Sequence, residues 1–255
     1  MAKPNLNTQN SNSKALFELA KQIIPGGVNS PVRAYEPYPF YTKHAQGSKL
    51  TDEDNNTYTD YCNAYGALLL GHTNPQIIDA ATKQLTKGTL YGTPTKQEIK
   101  LTQKIQTTTP TMQMIRLVNS GTEATMHTIR TARAYTNKNK IIKLEGNYHG
   151  AHDTLLVQAG SATTTHSTPT SPGIPPQTTQ NTITLPYNNT EALEEAIKQQ
   201  ANQIAALIIE PIMANAGLIL PQKNYLQQVR KLTAQNNIVL IFDEIITGYR
   251  VSIGG

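Results

Sequence analysis

Residues that can do chemistry follow an apolar run near the end of this sequence. Asp243 and Glu244 come directly after Ile-Val-Leu-Ile-Phe at residues 238–242. An uninterrupted run of this kind predicts a strand that is buried on both faces, as in a parallel sheet. Open α/β sheets bind their ligands beyond the carboxyl ends of such strands. There Asp243 can keep the ring nitrogen of a bound heteroaromatic cofactor protonated, which makes the ring an electron sink.

A second candidate motif is Asn-Ser-Gly-Thr-Glu-Ala at residues 119–124, between a predicted strand and a predicted helix. Gly121 lets the backbone approach a ligand closely, and the free amides at a helix start attract anions. The hydroxyls of Ser120 and Thr122 suit a phosphate ester. The alternative is an ordinary helix cap at Ser120 or Thr122, and for this motif alone the cap is favoured.

A third motif, Glu-Gly-Asn-Tyr-His-Gly at residues 145–150, follows another predicted strand. Tyr148 can stack on a flat ring, and His149 can contact the ring or serve the structure. A metal site is the alternative, because His152 and Asp153 lie nearby in sequence. Their spacing fits no standard zinc pattern, so we predict no metal.

A fourth motif is Glu-Pro-Ile-Met-Ala-Asn-Ala-Gly at residues 210–217. Asn215 can donate its amide to a ring oxygen, although Asn and Gly in a loop also serve turn geometry. Each motif alone has such an ordinary explanation, but four of them follow successive strands. Phosphate donors, a stacking aromatic, an amide and a carboxylate together suit a phosphorylated pyridine, which indicates pyridoxal phosphate.

The elements that must position these residues alternate along the chain from about residue 114. We predict strands at 114–118, 141–144, 204–209 and 238–242, and helices at 122–135, 191–201 and 226–235. This alternation predicts an α/β fold with a mostly parallel sheet covered by helices. The Ser-, Thr- and Pro-rich stretch 160–179 is either an active-site lid or a disordered insert.

The region before residue 114 has a different pattern. Residues 1–12 are predicted to be a disordered lead-in, and Ser13 is predicted to cap a helix that ends before Pro25-Gly26-Gly27. Residues 48–61 predict a hairpin that turns at 54–56, and Asn74-Pro75 predicts a further helix start. We assign 13–60 to an N-terminal segment and 61–255 to a large cofactor-binding domain.

Composition narrows the class of partner and the compartment. The net charge is +5, but no run of five basic residues occurs, so we expect no nucleic-acid partner. No stretch has the length of a membrane span, and the polar start lacks the apolar core of a signal peptide. Cys62 is the only cysteine, which excludes a disulfide framework within the chain and favours a reducing compartment. We therefore expect a cytoplasmic protein.

The sequence resembles the class III, fold-type I aminotransferase family. The strand-end motifs carry this resemblance, and Pro-Gly-Gly-Val-Asn-Ser-Pro-Val-Arg at residues 25–33 is its most specific part. That string is similar to the branch of the family that isomerises glutamate 1-semialdehyde to 5-aminolevulinate, the precursor of tetrapyrroles. The resemblance implies exchange of an amino group between pyridoxamine phosphate and substrate, and a homodimer.

The resemblance also implies roles for individual residues. Asp243 would pair with the pyridine nitrogen, Asn215 would contact the ring oxygen, and Tyr148 and Ile245 would flank the ring. Ser30 and Arg33 would bind the substrate carboxylate, where a guanidinium fork gives bidentate geometry. The remaining implied contacts fall into two sets: the cofactor contacts Ser120, Gly121, Thr122, His149 and Glu210, and the substrate contacts Tyr65 and Ser161. Tyr65 stands where the family often has tryptophan, and stretch 160–179 becomes a gating lid.

The family's Schiff-base lysine lies on the strand that follows the counterpart of 238–242. We therefore expect that lysine beyond Gly255 and expect the 255-residue chain, as an N-terminal part, to be inactive by itself. An aminotransferase with an external amino donor is an alternative within the family. A noncatalytic module of the same fold is a third possibility.

Overall fold

The computed structural model describes residues 11–158 and 168–255. The chain divides into two compact units, Met1–Thr93 and Pro94–Gly255. The boundary predicted between residues 60 and 61 stays a prediction. Across the described ranges, none of the helices combines the length and apolarity needed to cross a bilayer.

The described part of the first unit contains a small antiparallel sheet and three α-helices. Its elements are α1 (Asn12–Ile23), β1 (Thr42–Gln46), β2 (Lys49–Asp52), β3 (Thr57–Thr59), α2 (Asn63–Gly66) and α3 (Pro75–Leu85). The strands pair in the order β1-β2-β3. The predicted hairpin is confirmed as β2 and β3, with Asn55 in the left-handed region at φ 62°. The predicted helix start at Asn74 is confirmed too, because the Asn74 side chain caps α3.

The predicted cap of α1 was wrong by two residues. The helix begins at Asn12, and the N-cap is Ser11, whose hydroxyl accepts an N–H from the first turn. The Ser13 hydroxyl instead accepts the N–H of Tyr41 at 3.1 Å. The Asp54 carboxylate decides the difference, because it accepts hydrogen bonds from both Ser11 and Asn12 and so begins the helix earlier. Residues 1–10 of the predicted lead-in lie outside the described residues.

The second unit is built on a parallel sheet. Its elements are α4 (Lys96–Thr108), α5 (Gly121–Thr136), β4 (Lys140–Leu144), β5 (Val157–Gln158), β6 (Thr168–Pro169), α6 (Pro176–Thr179), β7 (Thr182–Leu185), α7 (Thr190–Gln200), β8 (Ile204–Ile209), α8 (Tyr225–Gln235) and β9 (Val239–Phe242). Four strands pair in the order β7-β4-β8-β9, and every pair is parallel. The predicted α/β fold is therefore confirmed.

Strand β8 forms the centre of the core. All six of its residues are buried, because β8 lies between two strands and is covered on both faces. On one face Leu207 belongs to a cluster with residues of α7 and α8, including Leu193 and Val229. On the other face Ile208 clusters with Ile129 of α5. Helices thus cover the sheet from both sides, as repeated strand–helix units require.

The prediction that residues 238–242 are buried on both faces was wrong. In β9, Val239 to Ile241 are half-buried and Phe242 is 43% exposed. Strand β9 pairs with β8 only, at an edge of the sheet among the described residues. An apolar run does not show how many strands will pair with it. The burial on both faces that was expected for β9 is found in β8 instead.

The strand predicted at residues 114–118 is also absent. This segment is irregular, and Met114 is 93% exposed. A strand exists through hydrogen bonds to a neighbouring strand. No strand in the described part of the chain pairs with this segment. Conversely, β7 was not predicted, because the short alternating Thr-Ile-Thr-Leu run at 182–185 is a weak signal.

Candidate active site

Three loops and one helix start meet at the carboxyl-terminal edge of the parallel sheet. The loops follow β4, β8 and β9 and comprise residues 145–152, 210–217 and 243–247. Because the strands are parallel, their carboxyl ends lie on the same edge, which is where such sheets bind ligands. Helix α5 begins at Gly121 beside these loops, as the contacts below show.

A buried carboxylate–imidazole pair lies at the base of this edge. Oδ2 of Asp243 lies 2.7 Å from Nδ1 of His149, and the two residues are 9% and 2% exposed. Oδ1 of Asp243 accepts the N–H of Ile245 at 3.1 Å. Nε2 of His149 is buried and has no hydrogen-bond partner among the described residues. His149 thus orients the carboxylate, and Asp243 keeps lone pairs for a further donor.

The start of α5 uses both hydroxyls that the sequence singles out. Ser120 is the N-cap, and its Oγ accepts the N–H of Glu123 at 3.1 Å. Oγ1 of Thr122 accepts the N–H of Ala151 at 3.0 Å, which joins the helix to the loop after β4. The capping explanation therefore holds for Ser120. In both contacts the hydroxyl accepts, so each O–H hydrogen can still donate to an anion at the helix start.

Two glycines allow the loops to pack closely. A Cβ at Gly121 would lie 3.1 Å from Cδ1 of Ile245, so the helix start packs against the loop after β9. Gly150 has φ +83°, and a Cβ there would lie 2.5 Å from Oγ1 of Thr122. Only glycine satisfies both the backbone angle and the space at residue 150.

Glu210 is buried, begins the loop after β8 and joins that loop to the one after β4. Its Oε1 accepts the N–H of Tyr148 at 2.7 Å, and its Oε2 accepts the N–H of Ala214 at 3.0 Å. Its own N–H donates to Oδ1 of Asn147 at 2.8 Å. The role of Glu210 as a cofactor contact stays a prediction, and in the structure its side chain supports the neighbouring loops. Asn147 was not singled out from the sequence, and its position beside Tyr148 was the available signal.

The residues predicted to touch a ring are exposed, in contrast to the buried pair. Tyr148 is 54% exposed and Ile245 is 62% exposed, and Asn215 is also exposed. Each of these three residues lies within two positions of a residue that a hydrogen bond holds in place at this edge of the sheet. The edge of the sheet therefore combines a buried acidic base with contact residues that are open to a ligand. Their cofactor roles stay predictions.

A buried lysine accompanies the site and was not singled out from the sequence. Lys143 in β4 is 5% exposed, and its Nζ donates to the carbonyl oxygens of Leu155 at 2.9 Å and Val157 at 3.3 Å. Burial lowers the pKa of the Lys143 amine, while the negative charge of Glu210 opposes that shift. The amine anchors the segment that follows the Tyr148 loop.

The potential metal ligands among the described residues do not form a group. Within residues 11–158 and 168–255, no three His, Cys, Asp or Glu side chains are grouped so that they can hold a metal ion. Burial lowers the pKa of His152, and the positive charge of Arg133 adds to this effect. Both effects favour the neutral form of the imidazole.

The residues predicted to bind substrate lie in the first unit or outside the described residues. Pro31–Arg33 forms one turn of 3₁₀ helix after Ser30, and Arg33 is exposed. The Tyr65 hydroxyl donates to the carbonyl oxygen of Val32 at 3.2 Å, so Tyr65 contacts the segment that carries Arg33. Ser161 lies outside the described residues. All four substrate roles stay predictions.

Comparison with known proteins identifies the family. The sequence profile described as Aminotransferase class-III matches residues 31–253. This chain belongs to the class III aminotransferase family. The family membership predicted from the strand-end motifs is thereby confirmed.

Individual relatives extend this result. The chain is 53% identical over 243 residues to a protein of Archaeoglobus fulgidus named glutamate-1-semialdehyde 2,1-aminomutase. The alignment covers 95% of this chain and 58% of that relative, so the chain spans under two thirds of the relative's length.

Solved structures agree with the fold. An omega-transaminase from Sphaerobacter thermophilus superposes with a TM-score of 0.93 at 35% identity, covering 97% of this chain and 58% of that one. A structure titled as a transaminase with PLP bound superposes with a TM-score of 0.89 at 32% identity, covering 95% of this chain and 57% of that one. The described fold is thus that of enzymes in this family.

Proposed function

We propose that this protein isomerises glutamate 1-semialdehyde to 5-aminolevulinate with pyridoxal phosphate as cofactor. The observation that carries the proposal is the 53% identity, over 95% of the chain, to a relative named for this activity. The strand-end site supports it, because a buried carboxylate, helix-start hydroxyls and an exposed aromatic lie on one edge of the sheet. The predicted homodimer and cytoplasmic location remain part of this proposal.

The residues present fit the cofactor. Asp243 offers a buried carboxylate that His149 orients at 2.7 Å, which suits the protonated nitrogen of a pyridine ring. The start of α5 has two hydroxyls and free backbone amides, which suit a phosphate group. Tyr148 and Ile245 offer exposed apolar surface for the ring faces, and Asn215 offers an amide for the ring oxygen.

Bound pyridoxal phosphate supplies an electron sink and a carrier for the amino group. Asp243 holds a proton on the ring nitrogen and so preserves the electron-withdrawing character of the ring. His149 holds the carboxylate in place through the hydrogen bond at its Nδ1. Ser120, Thr122 and the α5 amides bind the phosphate. Ser30 and Arg33 bind the substrate carboxylate.

A donor-free assay tests the activity. Glutamate 1-semialdehyde and cofactor are supplied to the protein in its natural length, without a second amino acid, and 5-aminolevulinate is measured. We expect product in the absence of an external donor, and a strong loss in Asp243→Ala. Product that appears only when an amino donor such as alanine is added would refute the isomerase. That result would favour an external-donor aminotransferase, which the likeness to the omega-transaminase supports.

A matched pair of variants tests the substrate carboxylate site. Arg33→Ala removes the guanidinium, and Arg33→Lys keeps the charge but not the two-pronged geometry. We expect KM to rise roughly 10-fold or more in Arg33→Ala and less in Arg33→Lys, because a charge-assisted hydrogen bond contributes about 1.5–3 kcal/mol. An unchanged KM in Arg33→Ala would remove Arg33 from the site.

The same assay on the 255-residue chain tests the expectation that it is inactive by itself. Borohydride reduction of the chain with pyridoxal phosphate, followed by peptide mapping, reports on a lysine that bonds to the cofactor. We expect no site-specific lysyl adduct. A single modified lysine would show that the chain contains the Schiff-base residue after all.

A further inference from the structure

Glu210 connects the two loops that carry the predicted ring contacts. One carboxylate oxygen accepts the N–H of Tyr148 and the other accepts the N–H of Ala214, which directly precedes Asn215. We infer that Glu210 is a positioning residue, which sets the place of Tyr148 relative to Asn215. This inference rests on the proposed function, because it takes both residues as contacts of the cofactor.

The chemistry of the contact requires a carboxylate. Glu210 is 4% exposed and receives two backbone N–H donors, one at each oxygen. An ionised carboxylate accepts at both oxygens, and its charge strengthens both hydrogen bonds. A glutamine of the same shape would turn its NH₂ group toward one of the two N–H donors. It could therefore hold one loop but not both.

A third hydrogen bond fixes Glu210 itself. Its backbone N–H donates to Oδ1 of Asn147, the residue before Tyr148. The end of β8 is therefore joined to the loop after β4 through its backbone and through its side chain. The side chain of Glu210 can then transmit the position of one loop to the other.

The hydrogen bonds of Glu210 should affect cofactor binding because the predicted ring contacts are exposed. Tyr148 is 54% exposed and Asn215 is exposed, so packing holds their side chains only weakly. Their backbones are held at or next to the two N–H groups that Glu210 accepts. Loss of the carboxylate should therefore change how a bound ring is contacted, in addition to any loss of stability.

Two variants and a control test the inference. Glu210→Ala removes both acceptors, and Glu210→Gln keeps one. Thr233→Val is the control, because Thr233 in α8 is fully buried and its hydroxyl donates to Val229 and Arg230, away from both loops. Amide hydrogen exchange at Tyr148 and Ala214 is measured without cofactor. The dissociation constant of pyridoxal phosphate and the circular dichroism of the bound cofactor are measured with it.

We expect faster exchange at both amides in Glu210→Ala and at one of them in Glu210→Gln. We also expect the dissociation constant to rise roughly 10-fold in Glu210→Ala, following the loss of charge-assisted hydrogen bonds. The circular dichroism of the bound cofactor should change in both Glu210 variants and not in Thr233→Val.

Wild-type dichroism and affinity in both Glu210 variants would overturn the inference. Changes in dichroism and affinity that are no larger than those of Thr233→Val would also overturn the inference, since they would show a purely structural role. If the wild-type chain shows no saturable change in the cofactor spectrum, the proposed function fails. The exchange rates then still decide whether Glu210 holds both loops, so the two failures can be told apart.

Discussion

Nδ1 of His149 and Oδ2 of Asp243 lie 2.7 Å apart in the interior of the second unit, although 94 residues separate them in sequence. The His149 side chain is fully buried and that of Asp243 is 6% exposed. The hydrogen bond joins the loop after β4 to the end of β9. It thus supports the fold and orients the carboxylate that we propose faces the cofactor.

Removal of the imidazole should destabilise the protein. His149→Ala leaves the Asp243 carboxylate buried without that hydrogen-bond partner, and loss of a hydrogen bond to a charged group costs about 1.5–3 kcal/mol. We expect a drop of about this size in the free energy of unfolding in urea at pH 7. His44→Ala, at an exposed histidine of β1, serves as the control and should change the free energy by less than about 0.5 kcal/mol. Equal stability of the two variants would contradict the role of the pair.

Gly150 should tolerate no side chain. Gly150→Ala places a Cβ 2.5 Å from Oγ1 and 2.8 Å from Cα of Thr122, at a φ of +83°. The left-handed backbone alone costs about 1–2 kcal/mol with a Cβ, and the contact with Thr122 adds to it. Gly173→Ala is the matched control, because nothing lies within 4 Å of its Cβ position. Urea unfolding that ranks the two variants equally would show that the loop can move away.

Asp54 should make the stability of the first unit depend on acid pH. Burial opposes the shift, but hydrogen bonds from the Ser11 hydroxyl and the N–H groups of Asn12 and Ser13 lower the Asp54 pKa to about 2. The ordinary value is 3.8. Since the folded state favours the ionised form, this stabilisation is complete above the ordinary pKa and is lost as pH falls toward 2.

Asp54→Asn tests this dependence. Unfolding of the wild type and the variant is compared from pH 5 to pH 2. We expect the wild type to be more stable at pH 5 and the difference to shrink toward pH 2. A difference that stays constant over this range would mean that Asp54 does not titrate as its contacts predict.

Lys143 should make stability depend on pH at the alkaline end of the range. Burial lowers the pKa of its amine below the ordinary 10.5, so between the two values the unfolded chain binds the extra proton. Stability therefore rises with pH across this window. Burial also raises the pKa of Tyr187 to about 12, which makes stability fall with pH above 10. The lysine effect must therefore be measured as a difference between variants.

Lys143→Met isolates the lysine effect. The methionine removes the titrating group and leaves the tyrosines unchanged. We expect the stability of the wild type relative to Lys143→Met to increase as pH approaches 10.5, measured by urea unfolding between pH 7 and pH 10.5. A flat difference would show that the amine keeps its ordinary pKa in the folded protein.

Much of the second unit could be predicted because apolar runs and helical periodicity are local signals. The runs at 141–144 and 204–209 became β4 and β8, and the helices at 122–135, 191–201 and 226–235 were found within one residue at each end. The number of neighbours of a strand is not a local property. The apolar runs of β8 and β9 look alike in sequence, yet β8 pairs on both sides and β9 on one. The segment 114–118 fails as a strand for the same reason.

The candidate site shows the same division between local and non-local properties. The residue types at the strand ends, read from the sequence, indicated a phosphorylated pyridine and the class III aminotransferase family. Only the tertiary structure paired His149 with Asp243, and only it placed Glu210 between Tyr148 and Ala214. The physical reason is that a parallel sheet brings the carboxyl ends of distant strands to one edge. Which side chains then meet depends on strand order and loop packing, and neither can be read from local sequence.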